Sequence, residues 1–301
     1  MTDPNDAVDA TKFVTMDHQW VRSGLVLIES ILTKLCAFNM EGLRAHGGKI
    51  LKPFQSKQRG EREYQFYQHV FRDDSTQGSA VYEQLRQLLP RYGGLVVVDE
   101  DGKEPGALHA GKYLVLDDLT HGRQWPCIMD VKVGTRSYED GASPEKIAYE
   151  QSKFPLQTSV GFRVQGIKVY ESAQKVYVEY DKHVGRAITK PEELVELFSK
   201  FFPSDDATKT RRLLQAFLAR LELFRHWFES QEKLEFIASS LLFLYDGVDS
   251  SASQDGNPDI RLIDFAHVQH VDSTPRRDEG VLLGITTLIA IFTQLLHCLP
   301  Q

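Results

Sequence analysis

Pro126-Cys127-Ile128-Met129-Asp130-Val131-Lys132-Val133-Gly134 is the stretch on which the fold turns. Alternate side chains of a strand point to opposite faces, so Asp130 and Lys132 share one face while Met129, Val131 and Val133 fill the other. A carboxylate and an amine on one face of an apolar strand form either an exposed ion pair or the floor of a polar site. Gly134 then lets the backbone turn away or come close to a ligand. Two further features favour a site. One is Lys52 in a strand pattern near the N-terminus; the other is the run Ile263-Asp264-Phe265-Ala266-His267 late in the chain.

A chain of 301 residues can form one large domain or two lobes around a sizeable core. The net charge of −7, with 26% charged residues, argues against general nucleic-acid affinity. An anionic ligand must therefore be held by a local cluster. The cysteines (Cys36, Cys127 and Cys298) are far apart, with neither a disulfide framework nor zinc spacing, so a reducing compartment, nuclear or cytoplasmic, is expected. Met1 to Asp17 is polar and acidic, unlike a secretory signal. The apolar runs Gly24–Met40 and Val281–Leu299 are broken by Glu29, Lys34, Gln294 and His297, so no transmembrane segment is expected. The chain is expected to act as a monomer.

Residues 1–17 read as a disordered leader. Residues 20–40 carry Leu25, Ile28, Leu32 and Leu35 at helical spacing. Three origins remain open for this segment: a helix packed on the N-terminal lobe, foreign sequence such as an unspliced intron, or a partner-binding helix. From Gly47 the pattern becomes strand-like, and Lys49 is expected to be solvated. Gly60–Phe71 reads as a helix with Glu63 in its first turn, where the helix dipole favours an acid. Gly94–Asp99 and Lys112–Leu116 read as strands flanking an Asp101-Gly102 turn. Ser143, Pro144 and Glu145 are a helix start. Val160–Tyr170 and Lys175–Tyr180 read as strands, and Lys190–Phe202 as a helix. Asp206–Gln231 reads as a longer helix whose stripe of Leu213, Leu214, Phe217, Leu221, Phe224 and Phe228 is core rather than a cofactor box. Asp249–Pro258 reads as a flexible loop between strands Leu241–Tyr245 and Arg261–Ile263, and Glu279–Leu299 as a core helix.

The motif P-x-x-x-D-x-K-x-G at 126–134 is followed by Ser239-Ser240-Leu241-Leu242-Phe243-Leu244-Tyr245-Asp246-Gly247 and by Ile263-Asp264-Phe265-Ala266-His267. In that order the three resemble the signatures of the inositol polyphosphate kinases, and the resemblance runs from about Gly47 to the end. It implies an α+β, two-lobed fold, remotely like that of protein kinases. The N-lobe would span 47–119 and the C-lobe 120–301, with an inositol-phosphate-binding segment at 135–157. Residues 1–46 would remain as leader and an atypical helical segment.

The resemblance also implies ATP-dependent phosphoryl transfer, which needs positioned charge more than covalent chemistry. Mg²⁺ would lie on Asp264 and the Ser240 region, although an Asp in this setting also caps turns. Lys52 would hold nucleotide phosphates with Glu63 orienting it, and backbone groups of Asp117 and Leu119 would meet the adenine edge. Asp130 would serve the ribose side and Lys132 the transferring phosphate and acceptor. His267 would orient or relay the acceptor proton; a structural histidine is the alternative. On the helix from Ser143, Lys146, Tyr149 or Glu150, and Lys153 share a face that the family uses for the acceptor. From Asp130 to Arg186 nine Lys/Arg meet eight Asp/Glu, so composition alone shows no basic patch there. Residue-by-residue matching adds Gln55, Arg59 and Lys182 to the acceptor side.

Within the family, Ala238–Phe243, Asp264–Val268 and Lys153-Phe154-Pro155-Leu156 resemble the multikinase branch. Gly134-Thr135-Arg136 and Lys182 lean toward the hexakisphosphate kinases. The expected reaction is phosphorylation of inositol tris- and tetrakisphosphates at the 3- and 6-hydroxyls, with phosphoinositide lipid headgroups as a further acceptor class. The alternatives are a hexakisphosphate kinase making pyrophosphates and a non-catalytic inositol-phosphate sensor or scaffold. No Walker sequence, glycine-rich phosphate loop or H-R-D catalytic loop is present, which excludes P-loop and protein-kinase readings.

Overall fold

The computed structural model describes residues 43–72, 80–98, 110–249, 256–271 and 274–300. The leader, the 20–40 segment, the Asp101-Gly102 turn and most of the Asp249–Pro258 loop lie outside them. In chain order the described elements begin with β1 (Arg44–His46), β2 (Lys49–Pro53), α1 (Arg59–Phe71), α2 (Ala80–Leu88), β3 (Tyr92–Val98) and β4 (Gly111–Asp117). Next come β5 (Pro126–Val133), α3 (Pro144–Ser152), α4 (Gln157–Val160), β6 (Phe162–Glu171), β7 (Val176–Tyr180), α5 (Lys182–Arg186) and α6 (Glu193–Ser199). The chain closes with α7 (Ala207–Ser230), β8 (Leu234–Phe236), β9 (Ser240–Asp246), β10 (Asp259–Ile263), β11 (Val268–His270) and α8 (Glu279–Cys298).

The strands make a four-stranded antiparallel sheet in the order β1-β2-β4-β3, a five-stranded one in the order β10-β9-β5-β6-β7, and a small β11-β8 pair. β5 is the central strand of the larger sheet, and its two-residue alternation divides that sheet into a dry face and a polar face. Met129, Val131 and Val133 are fully buried. Behind the sheet, Phe243 of β9 packs edge-on against Phe217 of α7 and tilted against Phe292 of α8, both at 5.6 Å between ring centroids. All six residues of the predicted α7 stripe are fully buried, which bears out a core role. α8 is long and apolar enough by composition to cross a membrane, but here it buries Val281, Ile285, Leu288 and Phe292 in the same core.

Three expected boundaries shift. Val160 ends the short α4 rather than starting a strand, because Gly161 turns the chain at φ +75°. A Cβ on Gly161 would fall 2.3 Å from Gly284 N of α8, so only two glycines allow helix and turn to meet there. The 190–202 helix shortens to α6, its ends held by irregular turns. α1 starts at Arg59, so Glu63 lies beyond its first turn; Glu61 takes that position. Other starts form as read: Ser143 Oγ accepts from Lys146 N at 3.2 Å with Pro144 next.

Two buried carboxylates brace the sheet ends. Asp246 of the second motif accepts from the N–H groups of Gln124 (2.7 Å) and Trp125 (2.8 Å), fixing the connection between the sheets. Asp278 caps α8 by accepting from Val281 N at 3.0 Å and also accepts from Phe236 N at 2.7 Å. Burial pushes the Asp278 carboxyl up to about 6. The folded chain therefore binds this proton more tightly than the unfolded one, and the group's contribution to stability falls as pH rises from about 4 to about 6. Asp278→Ala leaves two buried donors without an acceptor and is expected to cost about 2–4 kcal/mol. Urea unfolding should show the lowered midpoint and, across that pH window, a flatter pH dependence than wild type.

Candidate active site

The polar face of the larger sheet grades from apolar to charged. Ile128, Asp130 and Lys132 of β5 stand opposite Leu244, Leu242 and Ser240 of β9. At one end Ile128 and Leu244 are buried together, with Leu119 and Leu242 packed on them. Four residues along, about 13 Å away by strand rise, stand Lys132 and Ser240. This arrangement suits a ligand with a flat apolar end and an anionic end.

At the charged end three segments meet. Lys52 of β2 reaches Glu63 Oε1 of α1 at 2.8 Å and Asp264 Oδ1 at 2.7 Å. Burial pulls the Lys52 amine down, but the Asp264 and Glu63 charges outweigh it and hold it above its usual range. Glu63 is 1% exposed, and the same Oε1 also accepts from Phe265 N at 3.3 Å. Asp264 adopts φ +67°, a left-handed conformation that Asp tolerates better than most residues. Ser239 Oγ donates to Asp264 O at 2.7 Å and helps hold that backbone. Burial would raise the Asp264 carboxyl, yet Lys52 and Lys132 bring it below its usual value. Its side chain is 39% exposed.

Lys132 donates to Ala238 O at 2.8 Å. Burial lowers its pKa, while Asp264 and Asp130 act in the other direction. Burial pushes Asp130 up to about 6, reinforced by Asp264 and opposed by Lys132, the Ser240 hydroxyl and Lys52. Asp130 Oδ1 and Ser240 Oγ are enclosed without a well-formed hydrogen bond. No cluster of three or more His, Cys, Asp or Glu exists among the described residues. Asp264, with Asp130 and Ser240 close by, offers oxygen donors of the kind a hard divalent ion takes, too few to hold one without further oxygen ligands.

On α3, both Lys146 (2.9 Å) and Lys153 (2.7 Å) donate to Glu150 Oε1, so the predicted shared face forms. Burial would raise the Glu150 carboxyl, but Lys153 and Lys146 lower it. His267 Nδ1 lies 2.6 Å from Glu139 Oε1, which also accepts from Arg62 of α1 at 2.7 Å. Sequence reasoning missed Glu139, which sits in an irregular turn without periodicity. It also missed Arg163, which faces Lys132 only through a register shift after Asp130.

Other expected residues are placed differently. Asp117 N–H donates to Arg91 O at 3.0 Å. Its carboxylate pairs with Lys49, which is therefore not simply solvated. Leu119 O accepts from Arg123 Nη1 at 2.6 Å. Gln55 is exposed, and the Arg59 guanidinium folds back onto Ser56 O and Oγ, both at 3.2 Å. Lys182 is exposed at the start of α5. No hydrogen bond or ion pair among the described residues joins these three to Lys146, Lys153 or His267. A separate cavity of about 240 Å³ at Gly134 is lined by Arg136, Glu235 and Arg276, whose charges already pair with one another; its lining does not include Lys52, Asp130, Lys132 or Asp264.

Residues 113–293, more than half of the chain, match the family model described as inositol polyphosphate kinase. The chain is 40% identical over 210 residues to inositol polyphosphate multikinase of Mus musculus, covering 70% of this chain and 50% of that one. It is 34% identical over 200 residues to inositol hexakisphosphate kinase 3 of Mus musculus, covering 60% of this chain and 50% of that one. The chain thus spans about half the length of these curated relatives. The crystal structure of inositol phosphate multikinase Ipk2 from S. cerevisiae, in complex with ADP and Mn²⁺, aligns with a TM-score of 0.63 at 28% identity, over 83% of this chain and 100% of that one. On its sequence, its mixed sheet-and-helix fold and the matched segment, the chain belongs to the inositol polyphosphate kinase family.

Proposed function

We propose that this protein transfers the terminal phosphoryl group of ATP to hydroxyls of inositol tris- and tetrakisphosphates, at the 3- and 6-positions. The observation that carries this reading is the meeting of Lys52, Glu63 and Asp264 beside Asp130 and Lys132, at the charged end of an apolar-to-polar sheet face. The likeness to a multikinase solved with ADP and Mn²⁺ supports a nucleotide and a divalent ion. The base would lie by Ile128, Leu244 and Leu119, and the phosphates by Lys52 and Lys132. Asp264 would hold Mg²⁺, which when bound would supply positive charge to offset the charge developing on the transferring group.

On the acceptor side, Lys146 and Lys153 are flexible donors suited to phosphates around a ring. With Nδ1–H donated to Glu139, the His267 ring presents Nε2 to an acceptor hydroxyl, where it can take or orient the proton. The hexakisphosphate kinase reading is favoured by one observation, the 34% identity to such an enzyme. A sensor or scaffold is disfavoured because Lys52, Asp130, Lys132 and Asp264 are all present. We further propose a nuclear or cytoplasmic, monomeric protein organised as lobes 47–119 and 120–301.

Product analysis with Mg-ATP and separate inositol tris-, tetrakis-, pentakis- and hexakisphosphates tests the assignment. Turnover of the lower phosphates is expected, with kcat reduced by about 10²-fold or more in Lys132→Ala and Asp264→Asn. Pyrophosphate formed from the hexakisphosphate alone would favour the sister branch, and no turnover with any acceptor would favour a sensor. Lys146→Ala is expected to raise the acceptor KM about tenfold while leaving the ATP KM unchanged. An equal change in both constants would remove Lys146 from the acceptor site.

A further inference from the structure

The α3 face holds more charge than two phosphate-binding lysines require. Glu150 is buried, and its Oε1 already serves both Lys146 and Lys153. Its Oε2 faces Arg163 Nη2 at 4.0 Å, just beyond hydrogen-bond reach. Arg163 is 3% exposed and is the cross-strand partner of Lys132. Its Nε and Nη1 find no hydrogen-bond partner among the described residues. The Arg186 charge acts on it as well, and Arg186 Nε is likewise unpartnered. A buried guanidinium with two nitrogens unpartnered is unfavourable, and an apolar residue at this strand position would carry no such penalty.

An ammonium with three N–H donors can meet Glu150 and a phosphate together, but a phosphate that pulls Lys146 and Lys153 toward itself competes with Glu150 for them. When a phosphate draws the two lysines away, a buried carboxylate loses both counter-charges at once. Arg163 is the group placed to replace them. Closing the gap by about 1 Å would form a charge-assisted hydrogen bond and give the guanidinium a partner.

We propose that Arg163 is a positioning residue for the acceptor site, taking over Glu150 when an acceptor phosphate draws Lys146 and Lys153 away. This rests on the inositol polyphosphate kinase reading above. Glu150 is then a resident anion that keeps the lysines gathered between turnovers, and Arg163 sets how readily it releases them. Only hydrogen bonds and ion pairs exchange. The effect therefore falls on acceptor binding, and an ATP KM that moved with it would point instead to the neighbouring Lys132.

Steady-state kinetics with Mg-ATP and an inositol tetrakisphosphate test this on wild type, Arg163→Leu, Arg163→Lys, Glu150→Gln and the Glu150→Gln/Arg163→Leu double variant. Arg163→Leu is expected to raise the acceptor KM about tenfold with the ATP KM unchanged, and Arg163→Lys to stay near wild type. Glu150→Gln should leave the acceptor KM at or below wild type, and the double variant should fall within about twofold of Glu150→Gln. Arg163→Gln carries the same comparison if Arg163→Leu does not fold. An unchanged acceptor KM, an equal rise for both substrates, or a double variant no better than Arg163→Leu would overturn the proposal while leaving the kinase reading intact. Wild type inert toward every inositol polyphosphate would overturn that reading and this proposal together.

Discussion

The Glu63 carboxylate holds the architecture together at its most sensitive point. It is enclosed at 1% exposure and is met by the Lys52 ammonium from the first sheet and by the Phe265 N–H from the segment after β10. An enclosed carboxylate with one partner removed is strongly destabilising, on the order of 3–5 kcal/mol. The two sheets are therefore not free to separate here without cost. Around this pair Phe66 stacks on Phe265 at 4.4 Å, and Tyr67 meets the same ring edge-on at 5.3 Å. Charge pairing and aromatic packing thus fix one spot, the residue next to Asp264. The left-handed backbone of Asp264 is held between the Ser239 hydroxyl and this anchored Phe265.

The second constraint is the two-sidedness of β5. The dry side of its sheet rests on α7 and α8 through Phe243 of the neighbouring β9, which leaves the opposite side of β5 to carry Asp130 and Lys132 at a fixed separation. The proposed phosphoryl transfer would draw on preorganised charge, and preorganisation here comes from packing behind the strand. The Gly161–Gly284 contact belongs to the same arrangement: Gly161 O accepts from Gly134 N at 2.8 Å, so α8 presses on the turn that ends β5. The acceptor side is built differently. Lys146 and Lys153 stand on a short helix and are gathered by a carboxylate rather than by packing, which leaves them able to move.

Local patterns in the sequence carry much of this. The alternation at 129–133 gives the two faces of β5, Ser143-Pro144 gives the start of α3, and the Leu213–Phe228 stripe gives the core helix. The Lys52–Glu63 pairing, implied by the family resemblance, also forms as a direct bond. What the sequence hides depends on long-range geometry. Arg163 joins the polar face only because the β5–β6 register shifts between Asp130 and Val131. Glu139 reaches His267 across 128 positions from a turn that no periodicity marks. Val160 leaves its expected strand because two glycines far apart in sequence touch.

Asp264, held by Lys52 in the free protein, is the group proposed to receive the divalent ion with the nucleotide. Calorimetric titration of ATP with and without Mg²⁺, on wild type and Asp264→Asn, tests it without depending on turnover. The account predicts that Mg²⁺ tightens ATP binding to wild type by about tenfold or more and that Asp264→Asn keeps metal-free binding but loses this gain. An equal gain from Mg²⁺ in both proteins would contradict it and move the metal away from Asp264.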